Sequence, residues 1–246
     1  MCTRALWADA NGAVLVGRNM DFGTDTQTNL WAFPRGMERD NTVDDSLSWT
    51  SKYGSVVAGG FDVSTNDGLN EAGFAAHTLW LTEADYGERD ETRPALGMAV
   101  WMQYFLDNFA TVAEAVAWLE ESHVQVVTAE DPSNPGRAVT QHVALEDATG
   151  DSAILEYLGG EMHIWHGREH TVMTNSPPYD EQLERLQEIE GFGGDQRLRA
   201  RGGRARRSRR APPSARLSVT ARARPGRCRR SRSASAAGRP AWECAA

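Results

Sequence analysis

The charge of this chain changes sign near residue 197, and that break constrains what can fold more than any other feature. Residues 1–196 carry 10 Lys and Arg against 33 Asp and Glu, whereas residues 197–246 carry 16 Arg against a single acid, Glu243. The formal net charge of -8 therefore conceals an acidic body and a strongly basic end. Arg, Ala, Ser, Gly and Pro make up 42 of the last 50 residues. Without apolar periodicity such a stretch cannot bury a core. A core is expected within residues 1–196, with 197–246 as an Arg- and Ala-rich disordered tail.

The body reads as α+β. Thr3 to Ala8 and Ala13 to Gly17 alternate like strands, and Asn11-Gly12 between them is a strong hairpin-turn signal. A two-residue turn there places Cys2 opposite Asp21 and turns Arg18 to the other face, so that a bulge or the strand's end is needed to bring Arg18 to the thiol. Residues 54–65 and 74–81 read as strands around a turn-rich 66–73 stretch. Residues 95–107 read as a helix, and Thr111-x-x-Glu114 is a capping box opening a second. A meander over 138–174 and a surface helix at 179–190 follow. Strands, helices, then strands again favour layers with antiparallel sheets over alternating βαβ units.

Position 2 carries the chemistry. Removal of Met1 would put an α-amino group and a thiol on one residue, Cys2, with reference pKa values of roughly 7.7–8.0 and about 8.5. Such an amine can serve as general base for its own side chain. A nearby guanidinium favours the thiolate and a nearby carboxylate orients the amine, and Gly17-Arg18-Asn19-Met20-Asp21 offers both. The plainer reading is a chance Cys beside solvated surface charges.

Three blocks separate these readings. Met1-Cys2-Thr3 with Gly17-Arg18-Asn19-Met20-Asp21, then Asp67-Gly68-Leu69-Asn70-Glu71-Ala72-Gly73, then Thr174-Asn175-Ser176-Pro177, stand in the order and at the spacing of the choloylglycine hydrolase and penicillin V acylase family, which residues 1–196 resemble. The resemblance implies an αββα four-layer sandwich of N-terminal-nucleophile type, incomplete on its C-terminal side. It implies hydrolysis of a linear amide through a thioester on Cys2, with Arg18 near the thiol and Asp21 holding the amine. It also implies that the Asn175 side chain and a backbone N–H near Trp80 form the oxyanion hole. Trp80 tilts the substrate towards penicillin V-like or other N-acyl amides and away from conjugated bile acids, the alternative substrates. Phe22 and Trp31 are further pocket candidates, though packing explains each as well, and a turn role explains Asn70 as well as a catalytic one.

Neither a metal nor an organic cofactor is expected. His163, His166 and His170 fall across a strand end and a turn and read as solvated or packed. Cys2, Cys228 and Cys244 fit neither a disulfide framework nor a zinc pattern. No apolar run of 18 residues and no secretory leader is visible, which points to a cytoplasmic protein with a small-molecule partner. A homo-oligomer is one open assembly. The tail reads either as a frame-shifted translation of a GC-rich gene, favoured because its bias begins where the family pattern is lost, or as a basic arm for polyanions. Trp242 is its one aromatic residue, so specific nucleic-acid binding by base stacking is not expected. A catalytically impaired remnant with such a tail is the competing overall reading.

Overall fold

The computed structural model describes residues 1–9, 12–40, 43, 47–194, 229–230 and 242–243. The chain falls into two compact units, Met1–Leu198 and Arg199–Ala246. In the second, Arg229–Arg230 pairs antiparallel with Trp242–Glu243. The expectations placed on the rest of the tail lie outside the described residues.

The first unit contains, in chain order, β1 (Thr3–Ala8), β2 (Val14–Asn19), β3 (Asn29–Phe33), β4 (Glu38–Arg39), β5 (Trp49–Thr50), β6 (Ser55–Gly60), β7 (Ser64–Asn70), β8 (Ala75–Trp80) and β9 (Ala95–Gly97). Helices α1 (Met98–Asn108) and α2 (Val112–Ser122) follow, then β10 (Gln125–Val127), β11 (Glu130–Asp131), β12 (Asn134–Ala138), β13 (Gln141–Glu146), β14 (Ser152–Leu158), β15 (Glu161–His166), β16 (Val172–Thr174) and α3 (Tyr179–Gln187). The Thr111 capping box forms as the sequence indicates, its hydroxyl accepting from the Glu114 N–H while the Glu114 carboxylate accepts from the Thr111 N–H. The helix expected from residue 95 begins at Met98, because Ala95–Gly97 is taken by a parallel pairing with β10.

Two sheets are stacked. The larger runs β15-β14-β13-β8-β7-β6-β3, antiparallel throughout, and the smaller runs β16-β1-β2. One face of the large sheet presents Val57, Ala76, Val143, Leu145 and Leu155 to Trp101, Phe105, Leu106 and Val116 of α1 and α2. The other face presents Leu79, Ala144 and Ile154 to Cys2 and Met173 of the small sheet and to Tyr179 of α3. Helices, large sheet and small sheet thus give three layers of the four-layer sandwich. The outer face of the small sheet shows Trp7, Leu15 and Val172 at 54%, 61% and 46% exposure, and no helix covers it among the described residues.

Two corrections to the sequence reading follow from local geometry. The 66–73 stretch is a turn only at its end, since Ser64–Asn70 is β7. The reversal before it falls at Phe61-Asp62-Val63, between paired Gly60 and Ser64, with positive φ at Phe61 and Asp62 and the Val63 N–H donating to the Gly60 carbonyl. Gly68 sits in that strand for packing: a Cβ there would collide with Leu106 Cδ1 and lie 2.9 Å from Val57 Cγ1. Gly68→Ala is expected to destabilise the fold by about 1–3 kcal/mol through overpacking, which urea denaturation would read. The second correction concerns the first hairpin. The Asp9 N–H reaches the Ala13 carbonyl at 3.0 Å, Ala8 pairs with Val14, and Gly12 has φ 83. The turn is therefore three residues long with glycine in the left-handed position, and paired numbers sum to 22 instead of 23.

Candidate active site

That one-residue shift assembles the site. With Thr3 opposite Asn19 and Arg4 opposite Arg18, Cys2 comes opposite Met20, and Cys2, Arg4, Arg18 and Met20 share the face turned to the large sheet. No bulge is needed to bring Arg18 round. On the other side of β1, Thr3 pairs with Thr174, so Asn175 comes opposite Cys2. The Cys2 backbone N–H donates to Asn175 Oδ1, and Asn175 Nδ2 donates to the Trp80 carbonyl at 2.6 Å. Arg18 reaches across to β8 and β7, donating to the Thr78 carbonyl at 2.9 Å and pairing with Asp67 at 2.9 Å.

Cys2 is 6% exposed. It lies on a cavity of about 110 Å³ whose lining includes Arg18, Met20, Phe22 and Trp80. The Phe22 and Trp80 rings stand 6.3 Å apart, and the Arg137 guanidinium of β12 stacks 4.1 Å over Trp80. Trp31 lies elsewhere, lining a separate hollow with its Nε1 donating to Asp62 at 3.1 Å. Asp21 meets the amino terminus of the chain: Met1 N donates to its carbonyl at 2.7 Å and lies 3.3 Å from its carboxylate. Trp80 offers Asn175 its carbonyl in this arrangement. Asn70 is buried and structural, its amide donating to Leu106 and Phe109 carbonyls and its Oδ1 accepting from Ala72 and Phe74 N–H groups. His163 stacks on Trp165, His166 pairs with Asp151 and His170 meets the Tyr179 hydroxyl. Among the described residues no group of three His, Cys, Asp or Glu side chains is placed to hold a metal ion.

A cluster of charges linked to Arg18 through Asp67 was not singled out in the sequence. His77 Nδ1 lies 2.8 Å from Asp67, and its Nε2 lies 2.5 Å from Glu146. Glu146 in turn holds Arg4, which is 0% exposed and also donates to Ser152 Oγ and the His170 carbonyl. Burial opposes charging of His77 more than any other single influence, yet Glu146 and Asp67 together outweigh it and push its pKa up to about 9. Burial also opposes the Glu146 carboxylate, but His77 and Arg4 hold its pKa below the ordinary value. The two act on opposite sides of neutrality. The His77 contribution is fully present below the ordinary value of 6.5 and is lost as pH rises through about 9. The Glu146 contribution is present above 4.5 and is lost as pH falls. Unfolding free energy in urea is therefore expected to decline between pH 6.5 and 9.5, and less so in a His77→Gln protein.

Residues 2–203 match the family of linear amide C–N hydrolases, choloylglycine hydrolase family. The chain belongs to it. Penicillin V acylase of Pectobacterium atrosepticum is 45% identical over 192 residues, which are 74% of this chain and 51% of that protein. A bile salt hydrolase/transferase of Clostridium perfringens is 27% identical, across 82% of this chain and 64% of its own length. The solved structure of penicillin V acylase from Agrobacterium tumefaciens superposes with a TM-score of 0.68 at 53% identity, covering 74% of this chain and 55% of that one. This member of the family thus spans about half to two thirds of the length of these relatives. Its fold is the N-terminal-nucleophile hydrolase sandwich shared with that structure. No helix among the described residues is long and apolar enough to cross a membrane.

Proposed function

We propose that this chain carries the nucleophile-bearing part of a cytoplasmic amidase that cleaves penicillin V-like or other N-acyl amides through Cys2. The observation that carries the reading is the placement of Cys2 on a largely apolar cavity, with Arg18 and Trp80 lining it and Asn175 bonded to the Cys2 N–H. Phe22, Met20 and Trp80 suit an aromatic or extended acyl group, because flat apolar walls gain most from covering one.

Removal of Met1 turns the Cys2 amide nitrogen into a free amine, for which Asn175 Oδ1 and the nearby Asp21 are natural partners. This amine takes the thiol proton. The sulfur then adds to the amide carbonyl carbon, and the carbonyl π electrons move onto oxygen. For Asn175 Nδ2 to steady that oxyanion, the amide must release the Trp80 carbonyl when substrate enters. Collapse breaks the C–N bond, and the departing nitrogen takes the proton back from the amine, leaving a thioester on Cys2. A water molecule, deprotonated by the same amine, then adds to the thioester and releases the acid and the thiol. Each step uses groups of the chain and water.

The test is a substrate panel on the purified full-length chain: penicillin V, an N-acyl homoserine lactone and a glycine-conjugated bile acid. Release of phenoxyacetate or of the fatty acid ahead of the bile acid supports the reading. Preferential bile-acid cleavage would favour the activity named for the Clostridium relative. Failure on all three, with Met1 removed, would leave the impaired-remnant reading.

A further inference from the structure

From Arg18, which lines the Cys2 cavity, cations and carboxylates alternate as linked pairs: Arg18, Asp67, His77, Glu146, Arg4. They come from five strands, β2, β7, β8, β13 and β1. Both nitrogens of His77 face a carboxylate: Nδ1 is hydrogen-bonded to Asp67, while Nε2 lies 2.5 Å from Glu146 outside hydrogen-bond alignment, so the imidazolium meets Glu146 as an ion pair. The side chain is 11% exposed and lies on the floor of a cleft of about 590 Å³ that Val14, Val16, Leu30, Val56 and Leu69 also line. With His77 charged, the five groups sum to one net positive charge, and Asp67 is divided between Arg18 and His77. With His77 neutral, the sum is zero, and Asp67 is left to Arg18 alone.

We propose that His77 is a positioning residue for the Cys2 site: it shares the Asp67 carboxylate with Arg18, so that this carboxylate neutralises less of the Arg18 charge felt at the thiolate. The inference rests on Cys2 being the nucleophile, and it assigns His77 and Asp67 a task that the hydrolytic steps themselves do not require. Asp67 and Glu146 face His77 directly, from β7 and β13, and Arg18 and Arg4 lie beyond them from the small sheet. A charge on a neighbouring strand acts across a poorly screened interior, so its loss is felt at the sulfur.

The experiment measures the rate of Cys2 alkylation by iodoacetamide against pH in the full-length chain, with peptide mapping to separate Cys2 from Cys228 and Cys244. In His77→Gln the pH of half-maximal rate is expected to move up by about one unit, with the neutral-pH rate falling up to about tenfold. His77→Lys, which restores a positive charge, is expected to recover part of that loss. Asp67→Asn, which returns Arg18 to the thiol undivided, is expected to move the midpoint the other way. A folded His77→Gln protein with an unchanged profile would overturn the proposal and leave His77 a packing residue. If that variant does not fold, an unshifted Asp67→Asn profile overturns it equally. Alkylation does not require turnover. A wild-type chain that alkylates at Cys2 but cleaves no amide would count against the proposed activity and not against the role of His77.

Discussion

Cys2→Ala is expected to abolish acylation by N-acyl amides and to lower any hydrolysis by on the order of 10⁴-fold or more, as loss of a covalent nucleophile does elsewhere. The reasoning is local. The side chain lies at the meeting point of β1 with the large sheet, and the groups around it are set by backbone register and not by flexible loops. Asn175 is held through the β1–β16 pairing, Arg18 through β1–β2, and the Trp80 carbonyl through β8. Removing the sulfur is expected to leave those neighbours in place and to delete the atom to which the proposed mechanism assigns the thioester. Because Cys2 is small and Leu79, Ala144, Ile154, Met173 and Tyr179 of its cluster remain, the fold is expected to survive, and a thermal melt of Cys2→Ala should stay close to that of the unaltered chain. Activity that persists in Cys2→Ala would sink the mechanism.

Glu146→Leu is expected to cost about 3–5 kcal/mol of folding free energy, the range seen when one partner of a buried ion pair is removed. Glu146 is 1% exposed and Arg4 is 0% exposed. Without the carboxylate, the Arg4 guanidinium keeps, among the described residues, only the Ser152 hydroxyl and the His170 carbonyl, neither of them charged. His77 loses one of its two carboxylates at the same time. The cost comes from stranding a charge and not from the worth of the pair itself, so Arg4→Met combined with Glu146→Leu is expected to recover most of it. Urea titrations of the two single variants and the double variant would show this as non-additivity. A double variant as unstable as the sum of the two singles would mean that a stranded charge is not the origin of the loss.

What the sequence made legible, and what it hid, follows from the range of each signal. The Thr111 capping box and the strands of the meander are local patterns, and they appear where those patterns lie. The hairpin register turned on whether the Asn11-Gly12 turn spans two residues or three, a choice that dipeptide preference does not make. That single residue of register is what separates Arg18 on the wrong face from Arg18 in the pocket. β3 carries Trp31, Ala32 and Phe33 without clean alternation, and it becomes a strand through its pairing with β6. β16 continues the meander in sequence but crosses to the small sheet, a long-range event that carries Asn175 to Cys2. The Asp67–His77–Glu146 cluster left a fainter mark: single charged or titratable residues at inward positions of otherwise apolar strands, such as Arg4 between Cys2 and Leu6 and His77 between Ala75 and Leu79. Such residues are costly to bury unpaired, so each implied a partner. The partners are up to 142 residues apart in sequence, and only the fold identifies them.

The most direct measurement is the intact mass of the purified full-length chain before and after brief exposure to penicillin V at a pH that slows thioester hydrolysis, with the adduct mapped by peptide sequencing. Loss of Met1 together with a single phenoxyacetyl adduct on Cys2 is the predicted result. A retained Met1, or acylation spread among Cys2, Cys228 and Cys244, would contradict the assignment of Cys2 as nucleophile.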